Sequence, residues 1–219
     1  MKTLKRFDGI SVQRPMVFIV DGDASMRQRL RDLVASNGFQ PVGFAFATEY
    51  LLARPPDVPA CLVADLNLPD MTGLELQQRI AATHTPIVFC ARKADVPTAV
   101  RAMKAGAVDV LAALASDEDL LHAVCIAVEK DRVRRFDRDR RAVLERRFSS
   151  MTPRECVVLQ FVVSGLLNKQ VAMKLGISEI TVKTHRGRLM RKMAARSFAD
   201  LVRMAAELEL PRAEPAKAW

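Results

Sequence analysis

Short apolar runs alternate with amphipathic stretches through the first half of the chain. Each run is continuous, as expected of a strand buried on both faces of a sheet, and the stretches between them repeat their apolar positions every three or four residues, as helices do. The expected strands are 16–20, 42–45, 61–64, 87–90 and 109–111, and the expected helices are 24–37, 47–53, 73–82, 95–106 and one from 117 onward. This alternation predicts an α/β domain with a doubly wound, five-stranded parallel sheet, the (βα)5 arrangement.

A stretch without Gly or Pro follows, from about 117 to 148, and charged residues dominate 129–147. Its apolar residues recur at intervals of three, four and seven, at Val133, Phe136, Val143, Leu144 and Phe148. One interpretation is a solvated linker whose surface is covered by salt bridges. We favour a long helix that continues the last helix of the sheet domain and pairs with a second copy over at least its first half. With Arg140 at an inward position, that pairing is a weak coiled coil.

The remaining sequence has the pattern of a helix-turn-helix. Thr152 and Glu155 have the spacing of a capping box, with Pro153 at the first helical position, and they open a helix that Gly165 ends. A short helix over 168–175 follows, and after it comes the turn residue Gly176. The next helix begins after Ser178, a good N-cap. These signals predict an all-α domain at the C-terminal end of the chain.

The helix after Ser178 has two unlike faces. Helical spacing puts Val182, His185, Leu189 and Met193 on one face, and we expect Val182 and His185 to lie in the core. The opposite face carries Lys183, Thr184, Gly187, Arg188 and Arg191. A cationic, hydrogen-bonding face with a small residue in the middle suits a helix that lies in a DNA groove. An amphipathic helix with a solvated basic face is the alternative.

The charge of the chain points to the same C-terminal region, because the formal net charge of +9 is unevenly placed. Residues 1–128 carry 13 basic and 14 acidic side chains, residues 129–150 carry 9 and 5, and residues 151–219 carry 12 and 6. The positive charge therefore lies where the helix-turn-helix pattern lies, which favours nucleic acid as the partner. No broad apolar face accompanies the charge, which argues against a membrane surface.

Targeting and metal-binding signals are weak. The apolar run 16–20 is too short for a signal peptide or a membrane span. The four cysteines are widely spaced and form no CxxC pair, so we expect no metal site and a reducing, cytoplasmic location. His84, His122 and His185 are scattered, and no Ser or Cys has an evident base beside it. We therefore do not expect an enzyme.

Two known families resemble this chain. Thr152-Pro-Arg-Glu-Cys-Val-Val-Leu, Gly165-Leu-Leu-Asn-Lys-Gln-Val-Ala and Leu175-Gly-Ile-Ser-Glu-Ile-Thr-Val-Lys-Thr-His resemble the LuxR-type helix-turn-helix family, over about 151–205. Val20-Asp-Gly-Asp-Ala-Ser-Met-Arg27, Asp65-Leu-Asn-Leu-Pro-Asp-Met-Thr-Gly-Leu74 and Asp95-Val-Pro-Thr-Ala-Val-Arg-Ala-Met-Lys-Ala-Gly-Ala107 resemble the receiver domains of two-component response regulators. Together they resemble the NarL/FixJ subfamily over about 15–205.

The receiver resemblance implies a phosphorylation site at the carboxyl ends of the strands. A working receiver takes a phosphoryl group from a histidine kinase onto the Asp after its third strand, with Mg²⁺ offsetting the repulsion between anions, and Asp65 matches that position. Asp21 matches the first of two acids that the family places after its first strand. Gly22 stands where the second acid, a metal ligand, is expected. We expect Asp23, one residue further on, to point elsewhere.

Other parts of that site are replaced as well. Ala91 stands where the family has the Thr or Ser that binds a phosphoryl oxygen, and Ala113 and Leu114 stand where it has a Lys-Pro pair. The resemblance therefore predicts an atypical receiver that keeps its fold without its phosphorylation chemistry. Asp65 is then an unused acceptor position, Asp21 a residual acidic pocket, and no metal or cofactor is expected.

The LuxR-type resemblance implies a four-helix domain whose third helix enters the major groove. It places Lys183 and Thr184 against bases, and its further base-contacting position falls on Gly187, which offers only close backbone approach. The expected phosphate contacts are Arg188, Arg191 and Lys169. Such domains often cap the second helix with Ser or Thr where this chain has Leu167, and we expect Asn168 to take over that cap.

These patterns divide the chain into a flexible tail (1–14), a receiver-like domain (15–128), a helical linker (129–150), a helix-turn-helix domain (151–210) and a second flexible tail (211–219). They predict a homodimeric, sequence-specific transcription regulator that binds promoter DNA independently of Asp phosphorylation and Mg²⁺. One alternative is a conventional regulator phosphorylated on Asp65 by a histidine kinase. Another is a receiver-fold interaction module in which DNA binding is secondary.

Overall fold

The computed structural model describes residues 14–54, 56–92, 95–112 and 115–210. It divides into two compact units, one up to Arg135 and one from Phe136. The first unit contains β1 (Met16–Val20), α1 (Ala24–Ser36), β2 (Gln40–Phe44), α2 (Ala47–Leu52), β3 (Ala60–Ala64), α3 (Gly73–Ile80), a 3₁₀ turn (Ala81–Thr83), β4 (Ile87–Ala91), α4 (Val96–Lys104), β5 (Asp109–Ala112) and the start of α5 (Asp117–Ser149).

All five strands are parallel, in the order β2-β1-β3-β4-β5. The predicted doubly wound sheet and the predicted long helix are therefore confirmed. Among the strands, the largest shift from expectation is at β2, which begins at Gln40 rather than at residue 42. Apart from Arg14, the expected tails 1–14 and 211–219 lie outside the described residues. Ala113 and Leu114, which stand in place of the family's Lys-Pro pair, also lie outside them.

Alternate residues of each central strand enter two separate cores, since successive side chains of a strand point to opposite faces. On one face, Phe18, Leu62 and Phe89 pack with residues of α2, α3 and α4. On the other face, Ile19 and Val63 pack with residues of α1 and α5. Helices cover both faces, so the strands contain continuous apolar runs.

A buried carboxylate fastens α5 to the sheet. Asp131 is 1% exposed. Its oxygens accept hydrogen bonds from the Ala60 backbone N–H at 2.9 Å, from Arg134 at 2.6 Å and from Arg135 at 2.5 Å. Buried charge is tolerated when it is paired and fully hydrogen-bonded. Asp131 therefore fixes the register of the helix against the first residue of β3.

The second unit is entirely helical among the described residues 136–210. It holds the rest of α5, then α6 (Pro153–Val163), α7 (Asn168–Leu175), α8 (Glu179–Met193) and α9 (Phe198–Glu207). Its core includes Leu144, Val158, Leu159, Val162, Val171, Val182, Leu189, Met193 and Leu201. The predicted four-helix C-terminal domain is confirmed. The segment predicted as a linker, 129–150, lies almost wholly within α5, and the domain limits derived from sequence remain predictions.

The helix boundaries of this unit follow its capping residues. Thr152 accepts a hydrogen bond from the Glu155 N–H at 3.3 Å, and the Glu155 carboxylate accepts one from the Thr152 N–H at 2.8 Å, which completes the expected capping box. Gly165 and Gly176 follow α6 and α7 with φ of 87° and 63°, a left-handed conformation that glycine adopts without strain.

The expected cap on α7 is wrong. Leu167 is the N-cap residue, and Asn168 is already helical. The Gln170 side chain accepts from the Leu167 N–H at 2.8 Å, which satisfies one orphan donor of the helix end. Since Asn168 is not needed there, its Oδ1 accepts a hydrogen bond from Arg186 of α8 at 2.8 Å.

The Glu155 carboxylate gives a test of what stabilises this unit. Lys192 Nζ lies 2.6 Å from Glu155 Oε2, and together with the Thr152 N–H it lowers the pKa of Glu155 from 4.5 to about 2. Because the pKa is depressed in the folded state, the stabilisation is complete above pH 4.5 and is lost as pH falls towards 2.

We therefore expect Glu155→Gln to lower the free energy of unfolding by about 1–3 kcal/mol at pH 7, and by less at pH 3. Urea unfolding followed by circular dichroism at both pH values measures this. Glu145→Gln is the control, because Glu145 pairs with Arg141 on the surface, and its loss should cost at most about 0.5 kcal/mol. Equal losses for the two variants at pH 7 would contradict the prediction.

Candidate functional sites

Two acidic side chains meet at the carboxyl edge of the sheet. Asp21 follows β1 and Asp65 follows β3, and these strands are hydrogen-bonded neighbours in which Val20 lies opposite Ala64. Both residues are 2% exposed. Asp21 Oδ1 accepts from the Asp23 N–H at 2.8 Å, and Asp65 Oδ1 accepts from the Asn67 N–H at 3.3 Å. The two carboxylates form an acidic pocket at the edge where ligands bind in this class of fold.

Arg92 occupies that acidic pocket. It comes directly after β4, the neighbour of β3, and its Nη2 donates to Asp65 Oδ2 at 2.9 Å and lies 3.5 Å from Asp21 Oδ1. Its Nη1 donates to Asp23 Oδ2 at 3.1 Å. A planar guanidinium has enough donors to bridge several carboxylates at once. One side chain thus connects the segments that follow three strands.

Asp23 has two roles in this arrangement. Its Oδ1 caps α1 by accepting from the Ser25 and Met26 N–H groups at 2.8 and 3.2 Å, and its Oδ2 is bound by Arg92. The expectation that Asp23 points away from the pocket is therefore wrong. Asp23 lies one residue beyond the position where the metal ligand is expected. It contacts the pocket through Arg92, whose side chain extends to it.

The local electrostatics explain why Arg92 is held there. Burial raises the pKa of Asp21, while the Asp23 N–H and Arg92 act in the opposite direction. The N–H groups of Met26 and Ser25 lower the pKa of Asp23, and Arg92 adds to that effect. In turn, hydrogen bonding to Asp65 raises the pKa of Arg92. The guanidinium is the positive charge that offsets the buried carboxylates.

The residues of the pocket do not suit the Mg²⁺ that the receiver resemblance implies. Mg²⁺ requires oxygen ligands in near-octahedral geometry, and Gly22 supplies no side chain where a ligand is expected. A Cβ added at Gly22 would lie 2.8 Å from Pro69 Cγ, so a larger residue there displaces the Pro69 ring. Arg92 already binds Asp65 Oδ2 at 2.9 Å. Ala91, the last residue of β4, has no hydroxyl for a phosphoryl group.

The second candidate site is the outer face of α8. Val182, Leu189 and Met193 are fully buried in the domain core, whereas Lys183, Thr184, Gly187, Arg188 and Arg191 are exposed. Ser178 caps the helix by accepting from the Thr181 N–H at 3.1 Å. The expected core position of Val182 is confirmed, but His185 is only half-buried. Its Nδ1 is buried without a hydrogen-bond partner in the part of the chain that the structure describes.

The cations of α8 fall into two groups. Lys192 and Arg186 point into the domain, where Lys192 pairs with Glu155 and Arg186 binds Asn168 and lies 5.4 Å from the centre of the Phe198 ring. The outward group comprises Lys183, Arg188 and Arg191, with Lys169 exposed near the start of α7. The outward residues are those that sequence reasoning assigned to DNA, and their contacts remain predictions.

Small residues modify the outer face further. Thr184 Oγ1 donates its proton to the Ile180 carbonyl at 2.9 Å, so towards a ligand this hydroxyl can only accept. Nothing lies within 4 Å of a Cβ built on Gly187, so the helix surface is open there. Along the outer face of α8, the Lys183 ammonium is thus followed by a hydroxyl that can accept a hydrogen bond, on Thr184, and by exposed backbone at Gly187.

Comparison with known proteins identifies the family of each part of the chain. Residues 17–125 match the response regulator receiver domain family, and residues 149–205 match the LuxR family of bacterial regulatory proteins. Nodulation protein W of Bradyrhizobium diazoefficiens is 47% identical over 197 residues, which are 89% of this chain and 87% of that protein. The chain belongs to the response regulators with a LuxR-type DNA-binding domain.

Further response regulators are similar over nearly their full length. The transcriptional regulatory protein FixJ of Rhizobium meliloti is 39% identical, over 86% of this chain and 94% of that protein. The solved structure of the response regulator StyR has a TM-score of 0.81 at 43% identity, covering 89% of this chain and all of that one. By name, FixJ is a transcriptional regulatory protein and StyR is a response regulator. None of the described helices is long and apolar enough to cross a membrane.

Sequence reasoning found Asp21 and Asp65 but missed Arg92. A signal was present: Arg92 directly follows an apolar strand, at the same edge as the two acids. In a parallel sheet whose third and fourth strands are neighbours, a cation there lies beside the acid after the third strand. No comparable signal marks the contact between Asp131 and the Ala60 N–H, since these residues are far apart in the chain.

The arrangement predicts the effect of removing the arginine. Arg92→Ala leaves two buried carboxylates without their cation, so we expect the free energy of unfolding of the receiver domain to fall by about 1–2 kcal/mol. The estimate is moderated because the Arg92 side chain is 44% exposed. Arg92→Lys should recover only part of the loss, since a compact ammonium lacks the two separate nitrogens with which the guanidinium reaches different carboxylates.

Thermal and urea unfolding of the full chain measure these changes. Arg132→Ala is the matched control, because Arg132 pairs with Glu129 on an exposed helix surface at 2.8 Å. If the Arg92→Ala and Arg132→Ala variants had the same free energy of unfolding, the result would argue against a stabilising role for Arg92.

Proposed function

We propose that this response regulator binds promoter DNA as a homodimer, without phosphorylation of Asp65 and without Mg²⁺. The observation that carries the proposal is the position of Arg92, whose guanidinium binds Asp65 and Asp23 and lies beside Asp21. It supplies to the acidic pocket the positive charge that a metal brings to a conventional receiver. The setting is the cytoplasm, where bacterial promoter DNA lies.

Phosphorylation switches a receiver only if the phosphorylated and free states differ in their contacts. The hydroxyl that makes such a contact is absent at Ala91, and the metal ligand is absent at Gly22. A phosphoryl group on Asp65 would also have to displace or engage Arg92, which is already neutralised by carboxylates. These replacements favour a receiver held in one state by its own side chains.

The DNA-binding face supports the other half of the proposal. Lys183, Arg188 and Arg191 point outward from α8, while Lys192 and Arg186 are used within the domain. We assign Lys183 and Thr184 to base edges, and Arg188, Arg191 and Lys169 to phosphates. Thr184 then acts as an acceptor or through its methyl group, since its proton is donated to the helix.

Dimerisation follows from the size of the domain and from the apolar surface of the first unit. One helix-turn-helix domain contacts only a few base pairs, so useful specificity calls for two copies. Ile126 and Val133 lie seven residues apart on α5 and are about half exposed, and Val96, Val100 and Met103 are exposed along α4. Arg140 pairs with Glu207 of its own chain, which leaves the earlier part of α5 for the partner. Analytical ultracentrifugation of the protein at micromolar concentration tests this assembly. If the protein sedimented as a monomer both alone and bound to DNA, the homodimer would be refuted.

The phosphorylation state is tested directly. We expect the unmodified protein to bind a DNA site selected from a random pool, and Asp65→Asn to bind it with nearly unchanged affinity. Incubation with Mg²⁺ and acetyl phosphate, followed by intact-mass analysis and DNA titration, gives both readouts. Stoichiometric phosphorylation of Asp65 with a tenfold gain in affinity, about 1.4 kcal/mol, would favour the conventional, kinase-dependent alternative. A protein that binds no DNA would favour the interaction-module alternative.

The DNA face is tested by Lys183→Ala. If Lys183 reads a base, its loss should weaken binding by about 1–3 kcal/mol and relax preference at that position. Titration at fixed salt measures both effects. Lys174→Ala removes an exposed lysine of α7 that lies near the Phe161 ring, and it should change binding less. Unchanged affinity and specificity in Lys183→Ala would remove Lys183 from the recognition surface.

A further inference from the structure

We infer that Ile180 is a specificity-determining residue that reads the C5 methyl group of a thymine in the major groove. The inference rests on the proposed function, in which the outer face of α8 lies against DNA. It concerns a side chain that neither the charge pattern nor the family resemblance singled out.

Ile180 is a large apolar side chain that lies outside the described core of its domain. It is 79% exposed at the second residue of α8, whereas its neighbour Ile177 packs against the domain core. Its carbonyl accepts a hydrogen bond from Thr184, but that contact uses only the backbone. Core packing therefore does not require isoleucine here, and a smaller side chain would fold equally well.

Ile180 lies on the same face of α8 as the residues assigned to DNA. Residues three, four and seven apart share one face of a helix, so Ile180 lies with Lys183, Thr184 and Gly187. Single exposed apolar residues are common on protein surfaces and usually need no explanation. This one lies within the face that carries the outward cations, near the helix N-terminus, where a recognition helix contacts bases.

The chemistry of the groove selects the target. Among the four bases, only thymine presents a methyl group in the major groove, and apolar side chains recognise it by contact. Gly187, about two helical turns after Ile180, has open space where a Cβ would lie, so the backbone there can approach the DNA closely. That approach brings the short branched side chain of Ile180 within reach of a base edge. The expected site therefore has a thymine next to the position read by Lys183.

The experiment replaces thymine by deoxyuridine, one position at a time, in the selected DNA site. This change removes one methyl group and leaves base pairing and the hydrogen-bonding edge intact. For the unaltered protein we expect one position in each half-site at which deoxyuridine weakens binding by about fourfold, the value of one buried methyl-sized group. Ile180→Ala should bind the two DNAs equally, at the affinity of the unaltered protein for the deoxyuridine site.

Met173→Ala is the matched control, because Met173 is an apolar side chain of α7 that is 80% exposed. It should keep the full preference for thymine. Circular dichroism and thermal unfolding should be the same for both variants, since both side chains are exposed. The coupling between protein and DNA changes is then read from a double-mutant cycle.

The outcomes separate the inference from the function on which it rests. If the protein binds DNA and depends on Lys183, but deoxyuridine has no effect at any position, Ile180 reads no methyl group. If Ile180→Ala keeps the preference of the unaltered protein, another residue reads the methyl and the assignment is overturned. If no DNA is bound at all, both the inference and the proposed function fail.

Discussion

The receiver domain depends on how it offsets the charge of carboxylates buried at the end of its sheet. Parallel strands bring Asp21 and Asp65 to one edge, and the fold cannot avoid this, because both residues directly follow neighbouring strands. Two buried anions need a cation, and Arg92 is a cation covalently part of the chain. Because it is tethered, holding it in the pocket costs side-chain rotamer entropy but no translational entropy, and it cannot diffuse away. Arg92, the residue directly after β4, is thereby held in the pocket.

The DNA-binding domain divides its positive charge between stability and recognition. Lys192 and Arg186 lie on the recognition helix, but their partners are Glu155 and Asn168 of the same domain. The net charge of the sequence therefore overstates the charge available to DNA. What remains outward is a narrow group of cations beside an apolar residue and a glycine, and such a mixture can read bases as well as attract phosphates.

Periodicity predicted the sheet and the helices because both depend on local burial patterns. Continuous apolar runs mark strands covered on both faces, and capping residues such as Thr152 mark helix starts. The contact of Arg92 with Asp65 and that of Asp131 with the Ala60 N–H were not predictable in that way, since the paired residues lie 27 and 71 positions apart in the chain. The wrong assignment of Asp23 has the same origin, because Arg92, which binds it, belongs to a distant segment. Asn168 was misassigned for a local reason: α7 begins one residue earlier than a cap at Asn168 would allow, with Leu167 as its N-cap.

The occupied pocket also limits what a single substitution can change. An acid placed at Gly22 would stand between Asp21 and Asp23, two carboxylates that are already paired with Arg92, and its Cβ would lie 2.8 Å from Pro69 Cγ. Such a side chain would become one more partner for the guanidinium rather than a ligand for a metal. Only a chain that also replaced Arg92 would open the pocket to a cation from solution.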